Sequence, residues 1–318
     1  MPSPISLIAV PSNLGLSRPG GRVPRTDLLP EALMEAGLGR RIGARVETTV
    51  TPVPYVPERD AAVGVHNARG ILDLSHRLAD AVEATRRAAR IPVVLGGDCS
   101  ILLGCLLGLK RTGGRHGLAF LDGHTDFWPP AASPLGGVAG MDLWFATGRG
   151  PALLGNLEGR GPLVRDEDVA VLGVRDPDDW VGPPGTEHAW DTAMAYMDLA
   201  TLRNDGIGQC VERALDRLRA PGVEGFWLHL DVDVMDDAVM PAVDSRQPDG
   251  LRPDELSEVL ARLAGSGRLA GLDVTIYDPS LDPERRAARV LTDVLVAGLG
   301  ALASPRGTRQ AGGDGLAP

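Results

Sequence analysis

Eight short apolar runs recur along the chain, at Ile5–Pro11, Arg45–Val50, Ile91–Gly96, Gly117–Asp122, Val169–Val174, Ala195–Leu199, Gly225–Val234 and Leu269–Tyr277. Several are apolar at nearly every position, as strands covered on both faces are, and do not alternate with polar residues. Between them lie stretches of helical spacing at Asp27–Ala36, Ala68–Ala89, Ser100–Arg111, Ile207–Leu218, Pro253–Ala264 and Pro283–Ala303. Pro253 and Pro283 fall where a first helical turn accepts proline, since an N–H there has no partner in the helix. This alternation predicts an α/β fold of right-handed crossovers, with a parallel sheet between two helical layers. No repeat and no long linker divides the chain. Residues 1–303 therefore read as one domain, and 304–318, which lack periodicity, as a disordered tail. Three irregular stretches, Pro11–Arg25, Trp128–Gly161 and Asp176–Asp191, follow strands on the side where open α/β sheets bind ligands.

Composition narrows the class. With 43% hydrophobic but only 4% aromatic residues, the core must be built from Val, Leu, Ile and Ala. A formal charge of −10 argues against a nucleic-acid groove or a polybasic membrane patch. No apolar run reaches the ~18–20 residues of a membrane span, and the short apolar start has no basic region before it, so no secretory signal is expected. Three cysteines, Cys99, Cys105 and Cys210, make no even framework and suit a reducing, cytoplasmic compartment. Cys105 and Cys210 lie within apolar helical patterns and read as packing.

The chemistry gathers at three strand ends. These are Gly96-Gly97-Asp98-Cys99-Ser100, Asp122-Gly123-His124-Thr125-Asp126, and His229-Leu230-Asp231-Val232-Asp233-Val234-Met235-Asp236. Residues two apart in an extended chain share a face, which would bring Asp122, His124 and Asp126 together, and likewise His229, Asp231 and Asp233. Singly, Gly-Gly-Asp reads as a turn and Asp-x-Asp as a solvated strand end or helix cap, whereas the charged run Asp122–Asp126 directly after a buried strand is costly without a partner. Four converging carboxylates repel one another unless cations sit among them, and carboxylates with one imidazole suit a hard or borderline pair such as Mn²⁺. Such a pair activates water at neutral pH. His229 reads as an orienting group, a proton donor, or a hydrogen-bonded core histidine. His66, His76, His116 and His188 read as surface or structural.

In order and spacing, these three motifs resemble the signatures of the ureohydrolases, the arginase, agmatinase and formiminoglutamase family; the resemblance runs from about Ile5 to Ala303. It implies a three-layer αβα sandwich with a mainly parallel eight-stranded sheet, and two manganese ions that serve hydrolysis of a guanidino-type C–N bond. Carried across, Cys99, Asp122, Asp126 and Asp231 would hold one ion and Asp122, His124, Asp231 and Asp233 the other, with Asp126 also acting on the nucleophile. A small guanidine-type substrate and a homo-oligomeric assembly belong to the same expectation.

Departures from the pattern bear on the substrate. Cys99 stands where the family usually has a histidine ligand. Ala139-Gly140 replaces a His-Gly pair whose histidine moves protons, and Ile276 replaces a glutamate that meets guanidinium. Of the groups that hold an arginine carboxylate, Ser133 keeps a hydroxyl, while Trp128 and Leu135 replace amides. Asp178 matches an acidic residue that meets a substrate amine. A thiolate makes the cluster more negative and weakens it as a Lewis acid, and loss of a proton donor removes a term of ~10²–10⁴-fold. Relatives with cysteine at this ligand position act on N-hydroxyguanidines. A dinuclear hydrolase of a modified guanidine or amidine, not of free arginine, is the expectation. A metal-dependent deacylase and an inactive metal-binding relative are the alternatives.

Overall fold

All eight runs form strands near their expected bounds: β1 (Ile5–Ala9), β2 (Val46–Thr49), β3 (Ile91–Leu95), β4 (Arg115–Leu121), β5 (Val169–Leu172), β6 (Ala195–Met197), β7 (Val223–Asp231) and β8 (Leu269–Thr275). The structure is a computed structural model and describes residues 5–18, 21–176, 183 and 185–303. The tail at 304–318 and Asp178 lie outside the described residues. The strands make one sheet in the order β2-β1-β3-β8-β7-β4-β5-β6, and every pairing is parallel. Inner strands are buried almost throughout, which is why they read as unbroken apolar runs; three of the four β2 residues, at the edge, are exposed.

Alternate side chains feed two apolar layers. Leu95, Leu121, Leu230 and Val274 point to one face, against α1 (Leu29–Glu35), α2 (Leu38–Ile42), α7 (Leu199–Asp205), α8 (Ile207–Leu218), α9 (Pro253–Gly265) and α10 (Arg286–Ala303). Val94, Phe120 and Trp227 point to the other, against α3 (Ala68–Arg87), α4 (Leu102–Arg111), α5 (Asp142–Ala146) and α6 (Ala152–Gly155). In α3, Ile71, Leu74, Leu78 and Val82 repeat at three and four residues and are buried. Full burial of each contributes ~1.5–3 kcal/mol. The helix therefore docks through one stripe.

Three expectations change. The last helix begins at Arg286, three residues after Pro283. Arg285 has a left-handed φ of 56°, and the Asp282 carboxylate accepts from the Arg286 and Ala288 amides, so the first turn starts there. The stretch Trp128–Gly161 holds α5 and α6, each about one turn and too short for periodicity to show. The run Ala195–Leu199 is divided between two elements: β6 ends at Met197 and α7 follows, capped by Asp198, which accepts from the Thr201 amide at 2.7 Å. The C-terminal ends of β3, β8, β7 and β4, four adjacent central strands, open on one side, so the loops after them meet.

Candidate metal centre

Beyond β3 the chain turns through Gly97 and Asp98 into a 3-10 turn at Cys99–Ile101. A Cβ on Gly97 would sit 1.6 Å from the Ser12 carbonyl oxygen, so only glycine lets the two loops approach. Asp98 braces the turn: Oδ1 accepts from the Ser100 amide at 3.0 Å and Oδ2 from the Ser12 hydroxyl at 2.9 Å. Cys99 is thereby driven inward. Its thiol donates to Asp231 Oδ2 at 2.9 Å and lies 3.1 Å from Thr275 Oγ1 on β8.

Strand alternation does not explain how the carboxylates converge, contrary to the extended-chain expectation. β4 stops at Leu121 and β7 at Asp231, and hydrogen bonds to side chains fold the chain beyond each. Asp122 Oδ1 accepts from the His124 amide at 2.7 Å, and Asp231 Oδ1 accepts from the Asp233 amide at 2.7 Å. The Gly123 amide donates to Asp233 Oδ1 at 3.1 Å, tying the two loops together. His124 Nδ1 lies 3.0 Å from Asp233 Oδ2 and 3.6 Å from Asp122 Oδ1. Its Nε2 lies 3.1 Å from Ser245 Oγ and 2.9 Å from the Gln247 amide nitrogen. Asp126 is half-buried, with a left-handed φ of 44° that turns it toward the cleft.

Such crowding raises the proton affinity of the carboxyls. Burial, then Asp233, lifts Asp122 to about 6 against the pull of His124. Burial with Asp233 and Asp122 holds Asp231 well above the usual carboxylate range, and burial with Asp122 and Asp142 does the same for Asp126. Burial would raise Asp233 too, but His124 outweighs it and carries it below its ordinary value. His124 moves up, because Asp233 and Asp122 overcome its desolvation. Asp122 Oδ2 is buried without a hydrogen-bond partner. A buried acceptor among like charges lacks a cation. Asp122, His124 and Asp233 bring ligand atoms within 4.8 Å of one another, as do Cys99, Asp142 and His229. This donor set of carboxylate, imidazole and thiol fits two divalent ions.

Above the trios opens a cleft of about 310 Å³. Cys99, His124, Asp126, Asp231 and Asp233 form its floor, while Trp128, Ser133, Leu135, Ala139 and Ile276 stand in its walls. The Ser133 hydroxyl accepts from the Gly136 amide at 3.0 Å. His229, offered by the sequence as orienting group or proton donor, does not face the cleft. It is fully buried, stacked on Phe120 at 4.8 Å, with Nδ1 2.6 Å from Asp273 Oδ2. Trp144 packs edge-on against Phe127 and is likewise outside the lining. Sequence reasoning missed Asp142, Asp273 and Thr275. Asp273 carried a signal, since a carboxylate inside an apolar strand is costly without a partner. Asp142, one polar residue in a loop, carried none.

The geometry agrees with what the chain is similar to. A family model described as "Arginase family" matches residues 3–300. Arginase from Brevibacillus brevis is 29% identical over 290 residues, 90% of this chain and 94% of that protein. Arginase from Staphylococcus aureus (strain MRSA252) is 28% identical over 291 residues, 89% of this chain and 93% of that protein. The solved structure of arginase from Bacillus caldovelox superposes with a TM-score of 0.84 over 94% of this chain and 98% of that one, at 24% identity.

Proposed function

The chain belongs to the arginase family, and on that footing we propose that it is a dinuclear metal-dependent hydrolase of the C–N bond in a modified guanidine or amidine. The observation that carries this reading is the pair of ligand trios beneath one cleft whose wall holds Ile276 and Ala139. Asp122, His124, Asp231 and Asp233 would hold one ion, and the Cys99 side of the floor the other, with manganese the expected metal. When bound, two divalent ions polarise the substrate and lower the pKa of a water.

The chain's own residues do the rest. Asp126, turned into the cleft, takes the proton of the attacking water and returns it to the departing nitrogen. Ser245 and Gln247 fix the His124 ring from its far side. Ile276 offers no carboxylate to a guanidinium cation, and Ala139 no proton to a strongly basic leaving amine. A substrate whose leaving group is less basic, such as an N-hydroxyguanidine, needs neither. Trp128 and Leu135 make the mouth apolar where a free α-amino acid would need polar anchors, and Ser133 remains as one hydroxyl contact. Asp178, outside the described residues, is proposed from the resemblance alone as the partner of a substrate amine.

One observation favours an inactive relative: both Ala139 and Ile276 remove reactive groups. The full set of buried carboxylates argues the other way, because keeping them without function costs stability. Turnover on a panel of hydroxyguanidines, guanidino acids and formimino compounds after Mn²⁺ loading decides. Release of urea, ammonia or amine from a panel member faster than from L-arginine is the expected result. Two bound ions with no turnover on any member would overturn the enzymatic reading.

A further inference from the structure

One carboxylate of the cleft has no part in the reaction proposed above. Asp244 follows β7 in the chain and lines the cleft beside Asp233 and Ser245. Its loop is held on both sides. The Asp278 amide donates to the Ala242 carbonyl at 2.8 Å, which lays this loop alongside the turn after β8 that bears Ile276. Ser245 Oγ lies 3.1 Å from His124 Nε2. Further on, Arg175 donates from Nε to the Pro248 carbonyl and from Nη2 to the Gln247 carbonyl, each at 3.0 Å. Asp244 is thus set in the same cleft as Ile276, where the β8 turn offers no carboxylate of its own.

Among the described residues, no Arg or Lys lines the cleft and no guanidinium or ammonium pairs with Asp244. Its neighbour Arg246 turns instead to Asp237, at 3.2 Å. The His124 imidazole pulls on Asp244 but faces Asp233 at 3.0 Å, and as a metal ligand it would be neutral. Crowding by protein desolvates Asp244 and Asp233 repels it, which lifts it to about 6 and leaves it an anion above pH 7. On the dinuclear reading, two divalent ions balance Asp122, Asp126, Asp231 and Asp233. Asp244 is then a surplus negative charge between apolar walls at Trp128, Leu135 and Ile276, where its field is weakly screened and draws a cation.

We propose that Asp244 is a specificity-determining residue whose carboxylate takes the cationic amidinium or guanidinium head of the substrate, from the loop after β7 and not from the turn after β8. This rests on the function proposed above and deepens it: the site prefers a cationic head to a neutral amide or urea of the same shape. The N–H groups of an amidinium match a carboxylate as paired, charge-assisted donors. A neutral head gives no ion pair in exchange for desolvating the anion. Asp244 does not replace the proton donor missing at Ala139 or the anchors missing at Trp128 and Leu135, so free arginine remains poorly served.

The test separates charge from shape. Mn²⁺-loaded full-length chain and Asp244→Asn are titrated calorimetrically at pH 8 with butylguanidinium and with butylurea, which are alike in shape and differ in charge. Metal analysis and far-ultraviolet circular dichroism accompany each titration. The wild type should prefer the cation by about 10–100-fold. Asp244→Asn should lose most of that preference by weakening butylguanidinium alone, with metal content and fold as in the wild type. Asp244→Ser carries the same comparison if Asp244→Asn does not fold. An unchanged preference would overturn the assignment, and equal weakening of both probes would overturn it in favour of a structural role. Loss of an ion in Asp244→Asn would overturn it too, by making Asp244 a ligand. An Asp244-dependent preference in a chain that turns over no member of the substrate panel would support the assignment and overturn the enzymatic reading.

Discussion

Removing the metal should make the protein less stable as pH rises from 5 to 8, and restoring it should reverse that slope. Asp122 is raised to about 6 by burial and by Asp233, from an ordinary value near 3.8. His229 is raised to about 9, because Asp273 and Asp142 outweigh the burial that would lower it. For each, the folded state binds the proton more tightly than the unfolded state. The stability this gives is complete below the unfolded pKa and is lost as pH climbs through the folded one. Over their whole ranges each contributes about 3 kcal/mol. Between pH 5 and 8 the two together lose about 3 kcal/mol, and Asp126, Asp142 and Asp231 shift in the same direction. Glu47, Glu158 and Glu187, held low by hydrogen bonds from Arg90, Arg111 and Arg149, act the other way but exchange their protons below this window. At roughly 2 °C per kcal/mol for a chain of this size, the metal-free melting temperature should fall by about 6 °C. Excess Mn²⁺ or Zn²⁺ at 100 times its Kd adds about 2.7 kcal/mol per ion, and more at pH 8, where protons no longer compete for the ligands. Scanning calorimetry with EDTA and with metal, at pH 5, 6, 7 and 8, measures both slopes. A metal-free melting temperature that stays flat or rises, or a metal increment equal at pH 5 and 8, would refute the reasoning.

Asp231→Asn removes the carboxylate between the two trios and should cost both ions more than the ~10–100-fold in affinity that an outer partner costs, with activity lost alongside; metal analysis after dialysis checks it. L-Arginine should be a poor substrate, because Leu135, Trp128, Ala139 and Ile276 remove its anchors, its proton donor and its guanidinium partner; urea release at an ordinary enzymatic rate of ~1–10³ s⁻¹ would contradict this. Gly97→Ala places a methyl 1.6 Å from the Ser12 carbonyl oxygen, so the two loops must part. A loss of about 1–3 kcal/mol is expected, read as a melting temperature about 2–6 °C lower.

The sheet was legible because its inner strands are buried on both faces, and a run such as Ile91-Pro-Val-Val-Leu95 has no other stable place in an α/β chain. Strand order was not legible from the runs alone. The placement of β8 between β3 and β7 depends on which helical stripes pack on which face, and periodicity fixes a stripe without naming its partner. One-turn helices such as α5 escaped for a related reason. Four or five residues sample too little of a 3.6-residue period, and what holds α5 is burial of Leu143 and Phe145.

The candidate centre divides along the same line. Asp122, His124, Asp231 and Asp233 could be read from the chain because each lies at or just beyond the end of a buried strand, where charge is costly without a reason. Asp142 and Asp273 matter only through their meeting with His229, and that meeting is tertiary: β7 and β8 are neighbours in register at His229 and Asp273, while α5 brings Asp142 from the helical layer that His229 faces. The buried charge shows why such a cluster persists. Among the described residues, Asp122, Asp142, Asp231, Asp233 and Asp273 meet two imidazoles, His124 and His229, and the Arg175 guanidinium near Asp233. Without cations the excess negative charge must be taken up by protons, and the raised proton affinities of Asp122, Asp142 and Asp231 express that demand. On the proposed dinuclear reading, bound cations would take the carboxylates of the centre as ligands and displace those protons. The centre thus stands at a competition between protons and divalent ions for one set of oxygens, one nitrogen pair and one sulfur. Any substitution that removes a carboxylate shifts that competition toward protons, even where the residue never touches the substrate.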